Sequence, residues 1–579
     1  MRLDAWPTRA QFRPEEPVGI EVRVTDATPA RGVPLSARIS ALGIDVTSAR
    51  GQVETSNDGC GQATLFVQLP PTEPPSLDSI GYGVEVIALK EEGGGGRATT
   101  AFDVAPHWSA APRYGFAADF APDEEPAESM RRADEMLKLH ANVIQFYDWM
   151  ASHHTFLPAT EEFVDPLGRR LSHAVVRRKV ELARERGMAA LAYGALYGAE
   201  ADFSDAHPDW LLYDGAEQPL RLADLFYLQD FSEGSPWRDW IIGQYEQAVA
   251  QLGFDGIHID QYGFPKRALS RASGTWRQID VGDRFPGFVD EAASRVLALK
   301  PEGGSIFNCV NAWPLEGMAR ASRDAATYIE VWEPHVNYRD IYELVSRARL
   351  LRPNKQVILA AYLRPFHPQS ERSVGALNAF RLVSATIHAS GGFHLIAGEG
   401  NGLLAEAYYP RYGLLEADEL AVVRRYADYV VRNTRLLHGA VDADIAWTHV
   451  GPANEVIVLD HPQLTAYGAG ARPNSLWLIA RESDGRVSLH LVNLRGIASD
   501  AWNAEQPQAP DALEGIEVRA KLTGTVEGVW WDTPDDDVGL ARALPFEVVT
   551  AAGGRVLTFR LPLVEFWSTV WWQTTGDAR

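Results

Sequence analysis

The sequence predicts a multidomain protein in which a central (β/α)8 barrel is flanked by an N-terminal immunoglobulin-like β-sandwich and a C-terminal all-β Greek-key domain. Two patterns lead to this prediction. Short apolar or alternating runs separated by turns occupy both ends of the 579-residue chain, and strand-like and helical segments alternate between them. We expect the sandwich over residues 1–106, the barrel over 107–438 and the last domain over 439–579.

The N-terminal segment has the regular spacing of short β-strands. Apolar or alternating runs lie at residues 18–24, 35–39, 62–67, 84–88 and 98–104. Turn-forming sequences separate them, among them the paired prolines at 70–71 and 74–75 and the glycine run at 93–96. Strands about a dozen residues apart with such turns are typical of a sandwich.

The pattern of predicted elements changes at Tyr114, where strand-like segments begin to alternate with helical ones. The expected strands lie at residues 114–118, 142–147, 189–194, 256–260, 305–309, 328–331, 356–361 and 392–396. The expected helices lie at 127–140, 171–186, 236–252, 290–299, 339–350 and 373–389. Eight repeats over roughly 330 residues predict a barrel. The aromatic stretch 197–231 is expected to be an elaborated loop after the third strand.

The helix expected at residues 236–252 has start and end signals and an apolar face in its sequence. Ser235 is expected to cap it, Pro236 suits the first turn, and Gly253 ends it. Its apolar face is expected to comprise Trp240, Ile241, Tyr245, Ala248, Val249 and Leu252.

The C-terminal segment again reads as β. Runs at 475–480 and 487–493 flank Ser483-Asp484-Gly485, which is a hairpin turn signal. Further strand-like runs lie at 527–531, 546–549, 556–561 and 566–572.

Composition narrows the classes of function. The chain has 54 Lys and Arg against 77 Asp and Glu, a net charge of −23, which disfavours binding to nucleic acids or anionic membranes and suits a neutral ligand. The 17 Trp and 19 Tyr supply rings of the kind that bind sugars, although most are expected to pack in the core. Cys60 and Cys309 lie in no CxxC motif, so neither structural zinc nor a disulfide framework is expected.

The sequence also bears on location. No apolar run approaches about 18 residues, so we expect no transmembrane helix. The start, Met1-Arg2-Leu3-Asp4, does not resemble a signal peptide, which leaves a cytoplasmic protein or a trimmed secreted form as the two expectations.

Catalytic residues of a (β/α)8 barrel lie at the C-terminal ends of its strands. The relevant segments here are Gln145-Phe146-Tyr147-Asp148-Trp149 followed by His153-His154, His258-Ile259-Asp260-Gln261, Tyr328-Ile329-Glu330-Val331-Trp332-Glu333, and Gly398-Glu399-Gly400-Asn401-Gly402. Carboxylates at four strand ends, several beside Trp or Tyr, indicate a glycoside hydrolase.

Two of these carboxyl groups suit the chemistry of glycosidic cleavage. One must stay ionised to attack or stabilise the anomeric carbon, and another must deliver a proton to the leaving oxygen. Asp260 and Glu330 end strands four and six, which can face each other across the barrel mouth. We favour Glu330 over Glu333 because Glu330 ends its strand. A gap of roughly 5–5.5 Å between the two groups would imply retention of configuration.

The remaining polar residues leave alternatives open. Asp148 would bind sugar hydroxyls or orient a neighbour, or else form a structural ion pair. His258 and Asp260 share one strand face, yet no matching His or Asp cluster appears at other strand ends, so we expect no catalytic metal and no cofactor. Glu399 would bind substrate, or its glycine-rich surroundings would simply form a turn.

Several motifs together resemble glycoside hydrolase family 66, the dextranases and cycloisomaltooligosaccharide glucanotransferases. They are Ile144-Gln145-Phe146-Tyr147-Asp148-Trp149 with His153-His154, Ala192-Tyr193 with Leu196-Tyr197-Gly198-Ala199, the stretch from Gly253 to Gln261, Tyr328-Ile329-Glu330-Val331-Trp332, and Gly398-Glu399 with Tyr408-Tyr409-Pro410. Each motif alone is weak, but the set is specific, and the resemblance covers nearly the whole chain.

The resemblance implies that Asp260 is the nucleophile, Glu330 the acid/base and Asp148 a further aspartate needed at the site. It implies a retaining mechanism on α-1,6-glucan or isomaltooligosaccharides, with no nucleic-acid or membrane partner; the oligomeric state stays open. We expect substrate contacts from Asp148, Trp149, His153, His154, Tyr193, Tyr197, His258, Gln261, Trp332, Glu399 and Asn401.

The resemblance is compatible with three functions for this chain. Cyclising members of the family carry a sizeable β-rich insert in the barrel region, for which residues 356–440 leave no room. We therefore expect an endodextranase that hydrolyses dextran to isomaltooligosaccharides. A transglycosylase that uses the same carboxylates and a non-catalytic glucan-binding protein are the alternatives.

Overall fold

The computed structural model describes residues 1–26, 30–71, 79–88, 95–439, 444–451, 453–483, 485–551 and 554–575. The predicted turns at prolines 74–75 and glycines 93–94, and Asp484 of the predicted hairpin turn, lie outside the described residues.

The N-terminal segment is all β and forms two antiparallel sheets. One has the strand order Arg2–Pro7, Val18–Thr25, Gly61–Val67, and the other the order Ile44–Thr55, Ala30–Ala41, Ile80–Ala88, Gly96–Val104. Alternate residues of both sheets point inward and share one apolar core, as in Val18, Ile20, Val22 and Val24. The strand Ile44–Thr55 was not predicted because it is largely exposed and polar, so its sequence lacks apolar alternation.

Eight parallel strands form the barrel, which confirms the prediction. In chain order they are Tyr114–Ala117, Val143–Phe146, Ala189–Ala195, Gly256–Asp260, Gly304–Val310, Thr327–Glu330, Val357–Ala360 and Gly392–Leu395. Each pairs in parallel with the next, and the eighth lies beside the first, so the sheet is nearly closed. Parallel strands in chain order place all eight C-terminal ends at one mouth.

All six predicted helices are present around the barrel. They span Pro126–Lys138, His173–Glu185, Pro236–Leu252, Phe285–Leu299, Tyr338–Leu351 and Val374–Ser390. The helices Ala417–Arg432 and Thr434–His438 follow the eighth strand, and shorter helices lie at Ala201–Ala206, Leu315–Met318 and Ala446–His449. Among the described residues, no helix combines the length and apolarity needed to cross a membrane.

The helix Pro236–Leu252 differs from its prediction at two residues. Pro236 occupies the first turn and Gly253 ends the helix at φ +80°, as predicted. The Ser235 hydroxyl makes no capping bond and has no hydrogen-bond partner in the described part of the chain, so that prediction is wrong. Trp240 is 39% exposed rather than buried, because the inward stripe runs through Trp237 and Ile241, and Trp240 lies to one side of it.

The loops at the barrel mouth carry small elements of their own. The predicted elaborated loop after the third strand contains Gly198–Ala199, Leu212–Tyr213, Arg221–Leu222 and Phe226–Leu228 and the 3-10 turn Pro208–Trp210. Hairpins follow the second strand at Glu162–Val164 and Arg170–Ser172, and the fourth at Arg267–Ser270 and Arg277–Asp280. Short strands at Ala397–Gly398, Gly402–Leu403 and Gly413–Leu414 follow the eighth, and 3-10 turns lie at Arg364–Phe366 and Glu399–Asn401. A further 3-10 turn, Trp108–Ala110, precedes the first strand at the opposite end of the barrel.

From Ile457 to Thr575 the C-terminal segment is all β. A four-stranded sheet has the order Ile457–Asp460, Leu513–Leu522, Gly554–Val564, Phe546–Ala551, and a six-stranded sheet the order Tyr467–Gly468, Leu476–Ser483, Arg486–Asn493, Trp567–Thr575, Thr525–Asp532, Arg542–Ala543. The predicted hairpin is confirmed, because Ser483 and Arg486 pair across it. A loop of this segment bonds to the barrel, since Ala501 forms a β-bridge with Asn337.

Candidate active site

A cavity opens at the C-terminal mouth of the barrel. Its volume is about 1350 Å³, and residues from the ends of strands two to seven line it. Asp260 and Glu330 lie in this cavity together, and Glu333 does not line it. Because strands four and six are separated only by strand five, their terminal side chains reach the same space.

Asn308, near the end of the fifth strand, joins the two carboxylates. Its side-chain Nδ2 donates to Asp260 Oδ1 at 2.8 Å and to Glu330 Oε2 at 3.2 Å. An amide nitrogen carries two hydrogens, so it can give one to each acid. Its carbonyl Oδ1 is buried and has no hydrogen-bond partner among the described residues.

Each acid also has donors of its own. The Tyr193 hydroxyl donates to Asp260 Oδ2 at 2.8 Å, and the Tyr362 hydroxyl donates to Glu330 Oε1 at 2.9 Å. The Trp332 side chain also donates to Glu330. These donors fix the orientation of both carboxyl groups before any ligand enters.

Burial controls the charge of this pair. Removal from water raises the pKa of Asp260, and the neighbouring Glu330 raises it further. Burial also raises the pKa of Glu330, against the hydrogen bonds that stabilise its anion. Two carboxyl groups this close in a poorly hydrated site favour the state in which one holds a proton.

Asp148 and His153 form a second polar pair in the cavity. Asp148 Oδ1 lies 4.0 Å from His153 Nε2, and Asp148 adopts φ +45°, which is uncommon outside glycine. Burial raises the pKa of Asp148 to about 7, with a smaller contribution from the negative charge of Asp165. Burial lowers the pKa of His153, whose Nδ1 has no partner among the described residues.

His258 and Gln261 line the cavity and support it from below. His258 Nδ1 lies 2.8 Å from the Tyr114 hydroxyl, and burial lowers its pKa to about 3, which keeps the ring neutral. Gln261 donates to the carbonyls of Asn308 and Trp313, which anchors the loop after the fourth strand to the fifth. A neutral imidazole makes no ion pair with either acid.

Three predicted contact residues lie outside the cavity. Trp149 is fully buried against Phe254, and its indole donates to the Tyr193 carbonyl at 3.0 Å. Tyr197 is buried and donates to the Phe264 carbonyl. His154 lies 2.6 Å from Glu200. These side chains hold loops in place and are not brought to the cavity.

Glu399 and Asn401 are also not brought to the cavity. The Glu399 carboxylate is completely buried and accepts bonds from the backbone of Ala118 and Asp119 and from Lys179 at 2.8 Å. The glycine-rich segment turns away from the mouth, towards the helix Pro126–Lys138. Of the two interpretations left open for Glu399, the structure supports the structural one.

Several residues that line the cavity were not singled out from sequence. They are neutral or aromatic: Asn308, Tyr362, Phe226 and Tyr262. Tyr408 and Tyr409, which were named only as part of a family motif, line it as well. Tyr147 stacks on Tyr409 with ring centroids 4.3 Å apart, which builds an aromatic wall. Asn308 could have been found, since it is a polar residue inside an otherwise apolar predicted strand.

Within the described ranges, His, Cys, Asp and Glu form no group of three or more that could hold a metal ion.

The fold and this site together define a class of protein. A buried pair of carboxyl groups at the mouth of a (β/α)8 barrel, with aromatic walls and an open cavity, is the arrangement of a glycoside hydrolase. The family model for glycosyl hydrolase family 66 matches residues 7–571. The chain belongs to that family and is an enzyme of the glycoside hydrolase type.

Individual relatives are distant. A cycloisomaltooligosaccharide glucanotransferase of Niallia circulans is 23% identical over 648 aligned residues, covering 87% of this chain and 66% of that protein. A dextranase of Streptococcus salivarius is 22% identical over 543 residues, covering 80% of this chain and 64% of that protein. The chain thus spans less than two thirds of the length of these curated relatives.

A solved structure shares the fold. The crystal structure of a Paenibacillus sp. cycloisomaltooligosaccharide glucanotransferase complexed with cycloisomaltoheptaose matches with a TM-score of 0.87 at 20% identity, covering 98% of this chain and 99% of that chain.

Proposed function

We propose that this chain hydrolyses internal α-1,6-glucosidic bonds of dextran to isomaltooligosaccharides, with Asp260 as nucleophile and Glu330 as general acid and base. The main support for the proposal is that both carboxyl groups accept a hydrogen bond from the same side-chain nitrogen, Asn308 Nδ2, in an open cavity.

The spacing of the pair supports a retaining mechanism. Asp260 Oδ1 and Glu330 Oε2 lie 2.8 and 3.2 Å from the same nitrogen, so they are at most about 6 Å apart. Retaining enzymes hold their carboxyl groups about 5–5.5 Å apart, whereas inverting enzymes leave about 6.5–9.5 Å for a water molecule. The gap here favours direct attack by a carboxylate.

The reaction then has two displacements. Asp260 attacks the anomeric carbon while Glu330 gives its proton to the glycosidic oxygen, so the bond to the leaving chain breaks and that chain departs with a free 6-hydroxyl. Water next gives a proton to Glu330 and attacks the same carbon, which releases Asp260 and restores both groups. Each displacement inverts the centre, so the product keeps the starting configuration.

The division of roles follows the family resemblance. Hydrogen bonds stabilise the anions of both acids, from Tyr193 and Asn308 to Asp260 and from Tyr362, Trp332 and Asn308 to Glu330. Burial raises the pKa of both groups, which suits a pair in which one acid holds a proton before it acts.

The substrate class is inferred from the surface of the site. The cavity is open and lined by aromatic rings, and the chain carries a net charge of −23, so a neutral polymer suits it better than an anionic one. The names of the relatives, a dextranase and a glucanotransferase, point to α-1,6-linked glucose.

Transglycosylation by the same carboxylates is the second candidate. The alignment with the glucanotransferase spans 648 positions but covers 87% of this 579-residue chain, and the alignment with the dextranase spans 543 positions but covers 80% of it, so both relatives have segments without a counterpart here. Hydrolysis is preferred because residues 356–440 leave no room for the insert that cyclising members of the family carry.

The flanking segments fit the domain scheme expected from sequence. We propose an immunoglobulin-like sandwich over residues 1–106, a barrel over 107–438 and a Greek-key domain over 439–579. The packed antiparallel sheets at both ends support the two β assignments.

The test is activity on α-1,6-, α-1,4- and α-1,3-glucans with analysis of the products. We expect linear isomaltooligosaccharides from dextran. Cyclic products would favour transglycosylation over hydrolysis, and inactivity on every α-1,6-glucan would refute the proposal.

A further inference from the structure

A second depression lies beside the catalytic cavity. It is an open groove of about 2370 Å³, and it shares Trp332, Tyr362, Ala407 and Tyr408 with the cavity. The two are therefore one continuous trough, with the shared aromatic residues at the junction. We call the second part the outer groove.

The outer groove has walls from two parts of the chain. Loops after barrel strands six, seven and eight form one side, and residues 501–504 of the C-terminal segment form the other. Trp502 donates from its indole to the His335 carbonyl at 2.8 Å, and Asn503 Oδ1 accepts from the backbone N–H of Arg364 at 2.8 Å. These bonds tie the C-terminal segment to two barrel loops, so the groove is preformed.

The charges of the outer groove largely cancel. Glu406 lies 3.6 Å from His367 and 3.4 Å from Arg411, so its charge is balanced locally. Trp332 is 43% exposed at the junction and offers a ring face. A balanced polar surface with an exposed indole suits a neutral polyhydroxylated chain better than an ion.

The position of Glu330 determines which half of the substrate lies there. An acid that protonates the glycosidic oxygen stands on the side of the departing chain. The loop that leaves Glu330, residues 331–336, runs directly into the wall of the outer groove. The departing chain therefore starts at Glu330 and continues along this groove.

We infer that the outer groove, including residues 501–504, binds the leaving-group portion of an α-1,6-glucan chain. This rests on the proposed function and deepens it. Because an acceptor sugar enters the site that the leaving chain vacates, the same groove sets how often the glucosyl unit passes to a sugar rather than to water.

The test compares a long leaving group with a short one. Dextran fills the outer groove, whereas release of nitrophenol from 4-nitrophenyl α-isomaltotrioside is cleavage with no sugar on the leaving side, so this reaction does not use the groove. Ser370 is exposed in the groove, so Ser370→Trp narrows the groove without disturbing the core. Ser48 is exposed on the N-terminal β segment, and Ser48→Trp is the matched control.

We expect Ser370→Trp to lower the ratio of kcat/KM on dextran to kcat/KM on the nitrophenyl substrate by about tenfold, and to lower the yield of transfer products with added isomaltose. Asn503→Ala should lower the same ratio by about threefold, and Ser48→Trp should leave it unchanged. Melting temperatures close to wild type show that the variants fold.

An unchanged ratio in both groove variants, or an equal loss on both substrates, would overturn the inference while the proposed function stands. Inactivity of the wild-type enzyme on both α-1,6 substrates would instead refute the proposed function, and the inference with it.

Discussion

Asp260 and Glu330 accept hydrogen bonds from one side-chain amide, that of Asn308, at 2.8 and 3.2 Å. The shared donor fixes their separation and couples their charges, because a proton on one acid weakens the repulsion felt by the other. Tyr193 and Tyr362 each hold the far oxygen of one acid, so neither carboxyl group can turn freely.

Removal of either carboxyl group should abolish turnover without unfolding the protein. We expect Asp260→Ala and Glu330→Ala each to lower kcat on dextran by at least about 10³-fold, because each removes a group that acts directly in bond cleavage. The measurement is the rate of reducing-sugar release, with circular dichroism to check folding.

Added azide sharpens this test, because a small anion can replace a missing carboxylate. Rescue of Asp260→Ala should give a β-glycosyl azide, and rescue of Glu330→Ala an α-glycosyl azide. Glu333→Ala is the matched control on the nitrophenyl substrate, since Glu333 lies outside the catalytic cavity. Near-full activity in either carboxylate variant would refute that assignment.

The pH profile should respond to Asn308. Activity needs one acid of this coupled pair ionised and the other protonated, so it falls below the lower and above the upper apparent pKa of the pair, and burial raises both. Asn308→Ala removes a hydrogen bond that stabilises the anion of each acid, so both apparent pKa values rise further. The acidic limb of kcat/KM should move to higher pH, and a limb that stays in place or moves down contradicts this role.

Asp148 should make stability depend on pH. Its pKa is raised from 3.8 to about 7 by burial, so the stability it contributes is complete below pH 3.8 and is lost as pH rises to about 7. Asn does not ionise, so the Asp148→Asn variant does not lose this stability as the pH rises. We expect the variant to gain on the order of 4 kcal/mol in free energy of unfolding relative to wild type between pH 3.8 and pH 8.

Urea denaturation of both proteins at the two pH values measures this difference, and the titration of groups that do not interact with Asp148 cancels in the comparison. A difference between variant and wild type that does not change with pH would contradict the raised pKa of Asp148.

Glu399 should matter for folding and not for substrate binding. Glu399→Gln weakens the buried pair with Lys179, which keeps Glu124 at 2.9 Å, so we expect a loss of about 1.5–3 kcal/mol in free energy of unfolding and no change in KM for dextran. Glu161→Gln, which weakens the exposed pair with Arg177, should cost at most about 1 kcal/mol. A raised KM with unchanged stability would restore the original prediction for Glu399.

The barrel could be predicted because each strand is a short apolar run followed by a helix with start and stop residues. Asp260 and Glu330 could be found because a charged residue that ends an apolar strand is conspicuous. The same pattern failed at Glu399, because its loop folds back onto Lys179, a contact 220 residues distant that no local pattern contains.

The other residues that sequence reasoning placed wrongly or passed over have physical explanations too. Trp149 follows Asp148, but neighbouring side chains point in different directions, and the indole enters the core. Asn308 and Tyr362 carry no charge, so a search for carboxylates at strand ends passes over them although they hold both acids. The outer groove depends on residues 501–504 meeting the barrel loops, which sequence spacing does not reveal.

The most direct measurement is to trap the covalent intermediate. A fluorinated isomaltosyl donor that reacts quickly and is released slowly would be incubated with the enzyme, which is then digested and examined by mass spectrometry. We expect the glycosyl group on the peptide that contains Asp260. Attachment to Asp148 or Glu330, or turnover of dextran to products of inverted configuration, would contradict the proposed roles.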